Sequence, residues 1–432
     1  MTGVLLFTIF VVLMLAGVPI GVALGIGGAI AIAVANTDAQ LWGLLAVPQN
    51  FYASLAKYPL LALPMFVLVG AIFDRSGVAQ RMVTFAIAVV GRGSGMLPLV
   101  AIAVAMVLGG ISGSGPANAA AVGGVMIAAM AKAGYPAPFS ASVIGAAAAT
   151  DILIPPSIAF IVYSVMVPGA SVPALFAAGM IPGVLAGLAL IVPAVWLSRK
   201  HGFGGGESAL PRPPFWHSLK EAIWGLAAPV LILGGMRMGW FTPTEAAGVA
   251  VFYGLFVGMV VHRTIRFGDL FDIFREAAEL SAVIMLILGL AGIFAYSVNT
   301  LGIADPIAVF IAGSGLGSFG AIVLVSVALV IVGMFLDGVS IFLIFLPLLA
   351  PVAKAFSWDP VWFGVILTML IAVGQFTPPM AVNLMVACRV ANVPMESTIP
   401  WIGWLVASFL AVTFLVIVFP ELALWLPRSL GY

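Results

Sequence analysis

The run Ser112-Gly113-Ser114-Gly115-Pro116-Ala117-Asn118 puts two hydroxyls and an amide inside an apolar segment extending from Met96 to Met130. Polar groups at membrane depth are costly unless something satisfies them. Glycines let the backbone present its carbonyls, and Ser and Asn add neutral oxygens, a combination that suits a hard monovalent cation. The same residues also suit a small-residue helix–helix packing face. Downstream, Asp151-Ile152-Leu153-Ile154-Pro155-Pro156-Ser157 interrupts a second apolar stretch. Tandem prolines remove two amide donors and free carbonyls one turn earlier. The half-helix that restarts near Ser157 aims its unpaired amides inward. Carbonyls favour a cation and a helix start favours a carboxylate; a kink without ligand is the bland alternative.

The second half carries the same chemistry. Gly333-Met334-Phe335-Leu336-Asp337-Gly338-Val339-Ser340 places a carboxylate in a long apolar segment. If that carboxylate is buried and unpaired, it implies a cation partner or a proton-coupling role. The competing role is to cap the following helix, and both can hold together. Gly374-Gln375-Phe376-Thr377-Pro378-Pro379 breaks another stretch, and Asn383 follows about one turn later. Asp151 and Asp337 are the two charges set well inside apolar sequence.

The remaining composition excludes most other chemistry. Of 432 residues, 63% are hydrophobic and 7% charged, with a net charge of +1 and a mean hydropathy of +1.26. A soluble domain carries about 25% charged residues, so the chain reads as a polytopic membrane protein. Its charge balance attracts no nucleic acid. His201, His217 and His262, read as loop residues, and the single Cys388 offer neither a zinc site nor a disulfide framework. No Gly-x-x-x-x-Gly-Lys-Ser/Thr loop is present, so ATP bound by this chain does not supply the energy.

The elements that must position these residues are apolar helices. The N-terminus lacks the basic region of a signal peptide and reads as a first span. Spans are expected at 3–16 and 18–35 (or one long tilted helix), 58–74, 138–167 and 173–198. An amphipathic stretch at 78–92 runs between Arg81 and Arg92. A polar linker at 199–221, with the flexible Gly204-Gly205-Gly206, separates the halves. Spans near 222–239, 242–262, 280–298, 361–391 and 398–419 follow. Segments 96–130 and 319–353 read as re-entrant hairpins. On that assumption one face collects Arg75, Arg81, Arg92, Lys132, Arg199, Lys200, Arg212, Lys220, Arg263, Arg266, Arg275 and Arg389. Lys57, Arg237, Lys354 and Arg428 fall opposite, so the first face is cytoplasmic and both termini are not. Treating every apolar run as a simple crossing breaks this agreement. Glu245 reads as a cap or interfacial residue and Cys388 as packing.

Pro19 and Pro243, Pro136 and Pro360, Pro155 and Pro379, and Phe139 and Phe363 each lie 224 residues apart. Each half (1–198 and 222–432) orders its features alike: three spans, an amphipathic stretch, a hairpin, a Pro-Pro-broken span and a final span. Five crossings per half reverse the second half, giving an inverted-topology repeat that sets a site at the membrane midplane. The expected fold is all-α and polytopic, with about five spans and one re-entrant hairpin per repeat.

Taken together, Ser112-Gly113-Ser114-Gly115-Pro116-Ala117-Asn118, Lys132-Ala133-Gly134-Tyr135 and Ile154-Pro155-Pro156-Ser157 resemble the large membrane subunit of tripartite ATP-independent periplasmic (TRAP) transporters. Gly333-Met334-Phe335-Leu336-Asp337, Pro347, Pro351, Asp359-Pro360 and Thr377-Pro378-Pro379 match that family in the same order. At the first tip Gly-Pro replaces the family's frequent Ser or Ala. The resemblance implies a sodium-coupled importer of small organic acids (C4-dicarboxylate, sialic acid or a similar carboxylate). It also implies an elevator-type transport domain moving against a scaffold in the bacterial inner membrane, surrounded by lipid. Its partners would be a small four-span membrane subunit and a periplasmic binding protein, and it would not be an enzyme. Carried over by resemblance, Ser112, Ser114, Asn118 and Pro155 would bind one Na⁺. Gly333, Asp337, Thr377 and Pro378 would bind a second, and Ser157 and Asn383 would contact substrate. Spans 1–2 with 222–262 are the expected face for the small subunit. The competing function is a stand-alone antiporter of related architecture; a passive channel fits the paired helix breaks less well.

Overall fold

A computed structural model of the chain describes residues 2–35, 43–90, 93–207 and 213–432, which leaves Arg92, Arg212 and part of the linker outside the described residues. Among these residues the regular structure is helical throughout, as the apolar composition requires once backbone groups must pair internally. Among the described residues, seven helices are long and apolar enough to cross a membrane, and further apolar helices of 10–17 residues accompany them.

The N-terminal stretch is two helices, α1 (Thr2–Leu15) and α2 (Ile20–Ala35), joined by a turn with Gly17 at φ +84°. A short α3 (Ala46–Leu55), not anticipated from hydropathy, precedes α4 (Ala62–Arg75) and the amphipathic α5 (Val78–Val90). The first hairpin is α6 (Met96–Ser112) and α7 (Gly115–Lys132). The first broken span is α8 (Ala137–Ala148) and α9 (Ile158–Met166), and α10 (Val172–Lys200) closes the half. The second half runs α11 (Phe215–Arg237), α12 (Pro243–Phe256), α13 (Leu270–Thr300), α14 (Ala304–Gly313), then a hairpin, α15 (Gly317–Gly333) and α16 (Gly338–Ala355). Its broken span is α17 (Pro360–Phe376) and α18 (Val382–Ala391), followed by α19 (Ile399–Val418) and α20 (Glu421–Ser429).

Three expectations shift. α11 and α13 begin before 222 and 280, because amphipathic turns with charged residues extend them past the apolar core of each span. His217 therefore sits in α11 rather than in a loop. The start of the linker is docked rather than free. Glu207 is buried and accepts from the Leu97 amide (3.2 Å) and from the Tyr135 hydroxyl. Burial, with the Glu207 carboxylate adjacent, pushes the Tyr135 pKa up and keeps the phenol a donor.

Local chemistry explains the helix starts. Thr242 and Glu245 form a reciprocal capping box on α12, as expected of Glu245. Ser157 caps α9, Ser171 caps α10, and Asp359 accepts from the Val361 and Trp362 amides at α17. The halves interlock: α2 packs along α13 of the second half, and α12 along α4 of the first. Gly21, Gly25 and Gly28 make the first of these contacts, lying directly against Ile287, Leu290 and Phe294. Small residues give membrane helices the close approach that supplies their dispersion energy.

Candidate functional site

Both hairpin tips pack onto helix breaks. The hairpin arms are 17 or 18 residues, about 26 Å at 1.5 Å per residue, so each arm is nearly a full span. Contact with a break, rather than short arms, is what marks the tips.

At the first tip, α6 ends with Gly113 at φ +59°, and the chain restarts at Gly115-Pro116. A Cβ on Gly113 would lie 2.6 Å from the Pro156 carbonyl oxygen, and one on Gly110 would lie 3.2 Å from that of Pro155. These glycines let the tip press against the carbonyls of the Pro155-Pro156 break itself. Ser112 Oγ donates to Asp151 Oδ2 at 3.3 Å. Asp151 is 0% exposed, and its Oδ1 has no donor. A buried acceptor without a donor costs about 1–3 kcal/mol, more when charged. Carboxylate, hydroxyl and proline carbonyls thus line the same contact of tip and break, oxygens of the kind a hard cation takes. Asp151 joins the cluster although the resemblance named no role for it. Its signal was there in the sequence: a lone carboxylate four residues before a Pro-Pro break.

The other first-site residues divide their roles. Asn118 Nδ2 latches α7 to α6 through the Ala105 carbonyl (2.8 Å), while its buried Oδ1 has no donor. Ser114 is half-buried at the tip and makes no side-chain cap for α7. Ser157 Oγ donates to the Ile152 carbonyl (2.5 Å) and accepts from the Phe160 amide (3.3 Å), closing the unwound segment.

At the second tip, Gly333 meets Gly374 backbone to backbone. A Cβ on Gly374 would lie 2.5 Å from the Gly333 carbonyl. The Met380 amide donates to the Met334 carbonyl (3.0 Å), tying the turn after Pro379 to the tip. Thr377 Oγ1 donates to the Val373 carbonyl (2.6 Å), and Pro378 is half-buried beside it. Asp337 departs from the buried, unpaired carboxylate that the apolar sequence suggested. It is exposed, its Oδ2 accepts from the Val339 and Ser340 amides at 3.1 and 3.2 Å, and its Oδ1 accepts from the Ser340 hydroxyl. The capping role explains it, because a side chain at a helix start meets amides rather than apolar neighbours.

The two clusters join. Asn383 packs against Gly115, where a Cβ would lie 2.6 Å from its Nδ2. Asn383 Nδ2 donates to Gln375 Oε1 (3.2 Å), and Oδ1 is buried without a donor. α18 crosses α7 and α8, and α9 crosses α16 and α17, where the Tyr163 hydroxyl donates to the Pro360 carbonyl (2.7 Å). α18 starts at Ala381 without a side-chain cap, so its first amides remain available.

Discontinuous helices meeting hairpin tips inside an all-helical, multi-pass membrane protein define a transporter-like architecture. A family model described as the DctM component of tripartite ATP-independent periplasmic transporters matches residues 7–422. The chain belongs to this family, whose members are transporter permeases. It is 36% identical to the C4-dicarboxylate TRAP transporter large permease protein of Pseudomonas aeruginosa, covering 95% of this chain and 94% of that one. It is 35% identical to the isethionate TRAP transporter permease protein DctMQ of Oleidesulfovibrio alaskensis, covering 97% of this chain but 65% of that longer relative. The solved YdaH transporter of Alcanivorax borkumensis shares the fold, with a TM-score of 0.62 at 13% identity over 91% of this chain and 90% of that one.

Proposed function

We propose that this chain is the translocating subunit of a sodium-coupled importer of small organic acids in the bacterial cytoplasmic membrane. One observation carries the reading: the fully buried Asp151, its Oδ1 without a donor, lies beside the Ser112 hydroxyl, at a tip pressed against the Pro155 and Pro156 carbonyls. A cation there neutralises the carboxylate. The first Na⁺ site would draw on Ser112, Ser114, Asn118, Asp151 and Pro155. A second would use carbonyls near Gly333, Thr377 and Pro378, with Asp337 fixing the start of α16 beside it.

The uncapped start of α18, next to Asn383, supplies amides and a positive dipole for a substrate carboxylate. Bound cations would raise the affinity for the anion, and the anion that for cations, so coupling follows from linkage. The equivalent order of elements in the two halves supports an inverted repeat. The hairpins and broken helices would then move as one transport body against a scaffold containing α2, α4, α12 and α13. The DctM relationship supports two partners, a periplasmic binding protein that delivers substrate and a small membrane subunit seated on the scaffold.

The test is uptake by proteoliposomes containing the chain and its small partner, across a panel of labelled organic acids. Uptake of at least one acid should need both an inward sodium gradient and the added binding protein. Sodium-driven uptake without the binding protein would instead support a stand-alone carrier, and uptake indifferent to sodium would refute the proposal.

A further inference from the structure

A cavity of about 570 Å³ shares no lining residue with the two clusters and is walled by α3 and α13 on one side and by α9 and α16 on the other. Lys57 and Lys354 both line it. The chain has only sixteen Lys and Arg, and twelve of them fall on the opposite face in the orientation derived above. Two of the remaining four therefore converge on one hollow from distant segments of the chain. Among the described residues, Lys354 is exposed and its side chain has neither an ion pair nor a hydrogen bond. Lys57 Nζ donates to the Val165 carbonyl at 2.6 Å, near the C-terminus of α9, a position that favours a cation. An ammonium has three donors, so others remain for a ligand. The single carboxylate in the lining, Asp305, sits in the first turn of α14, where the helix dipole already stabilises it. Asn50, Ser54, Tyr296 and Asn299 complete the polar lining. The cavity is thus net cationic, hydrogen-bonding and sized for a small molecule.

We propose that this cavity is an anion vestibule on the non-cytoplasmic side, which holds the carboxylate of a small organic acid between Lys57 and Lys354. The site is separate from the midplane clusters and rests on the orientation and substrate class of the proposed function. Lys57 comes from the loop between α3 and α4, and Lys354 from the last turn of α16 in the hairpin. An anion held by both therefore links the two walls of the cavity, and movement of the hairpin would part them. Such a site concentrates substrate at the entrance by electrostatic attraction and releases it as the walls separate.

The full-length chain in phosphatidylcholine vesicles is exposed briefly to an amine-acetylating reagent, and modification of each lysine is read by mass spectrometry. Succinate, compared with sodium chloride of equal ionic strength, should slow acetylation of Lys354 roughly threefold or more while leaving Lys132 unchanged. Lys57→Met should remove that protection. The reciprocal variant, Lys354→Met, should remove protection of Lys57, so the test survives if either variant folds poorly. Equal slowing by chloride would overturn the proposal. Protection that appears only in vesicles containing phosphatidylglycerol would overturn it in favour of a lipid headgroup. Acetylation needs no transport, so sodium-driven uptake without Lys354 protection refutes the vestibule alone. Protection without sodium-driven uptake refutes only the importer.

Discussion

Asp151 and Asp337 are both carboxylates in apolar sequence, yet the fold gives them different work. Asp337 spends both oxygens on the first turn of α16, whereas Asp151 is buried with an oxygen left over. Asp337→Ala should therefore destabilise the protein by about 0.5–2 kcal/mol, the ordinary loss of a cap. Asp337→Asn should retain most of the stability. Thermal unfolding in detergent measures both; equal stability of the Ala variant would show that the cap is not what the residue supplies. Hydropathy marked both positions but could not rank them, because solvent access and neighbouring amides depend on how the tip folds. Asn383 shows the same limit. Its type and its place after Pro378-Pro379 were legible, whereas its contact with Gly115 of the other half depends on tertiary packing.

The elements were more legible than the contacts between them. Pro-Pro steps and glycine-rich tips announced the breaks and turns through lost donors and relaxed backbone sterics. α3 was invisible because its ten residues are too few and too mixed to stand out as a span. α20 is likewise short and carries charge at both ends. The seating of each tip rests on glycine contacts that sequence alone leaves unspecified. Gly374→Ala would bring a methyl within 2.5 Å of the Gly333 backbone, so the second hairpin must shift. Gly403→Ala, on α19 with nothing within 4 Å, is the matched control and should be neutral or stabilising by up to about 1 kcal/mol. Comparing the yield of folded protein and its melting temperature should show a loss only for Gly374→Ala. Equal behaviour would mean that the tip tolerates displacement.

Across the whole molecule, the scarcity of charge acquires structure. Arg75 of α4 pairs with Glu276 of α13 at 2.8 Å, an exposed link between the interlocked halves. Lys57 and Lys354 both line one cavity. The buried Asp151 stands at a junction of tip and break. On the proposed reading, this junction converts a sodium gradient into movement of an organic acid, which requires the two fluxes to be linked in both directions. The most direct measurement therefore starts without a sodium gradient. Proteoliposomes containing the complete transporter receive binding protein loaded with its substrate on the outside, and entry of radioactive sodium is followed. Substrate should drive sodium inward, and Asp151→Asn should reduce that entry roughly tenfold or more while the variant remains folded. Substrate entry with no accompanying sodium, or full coupling retained by Asp151→Asn, would contradict the account.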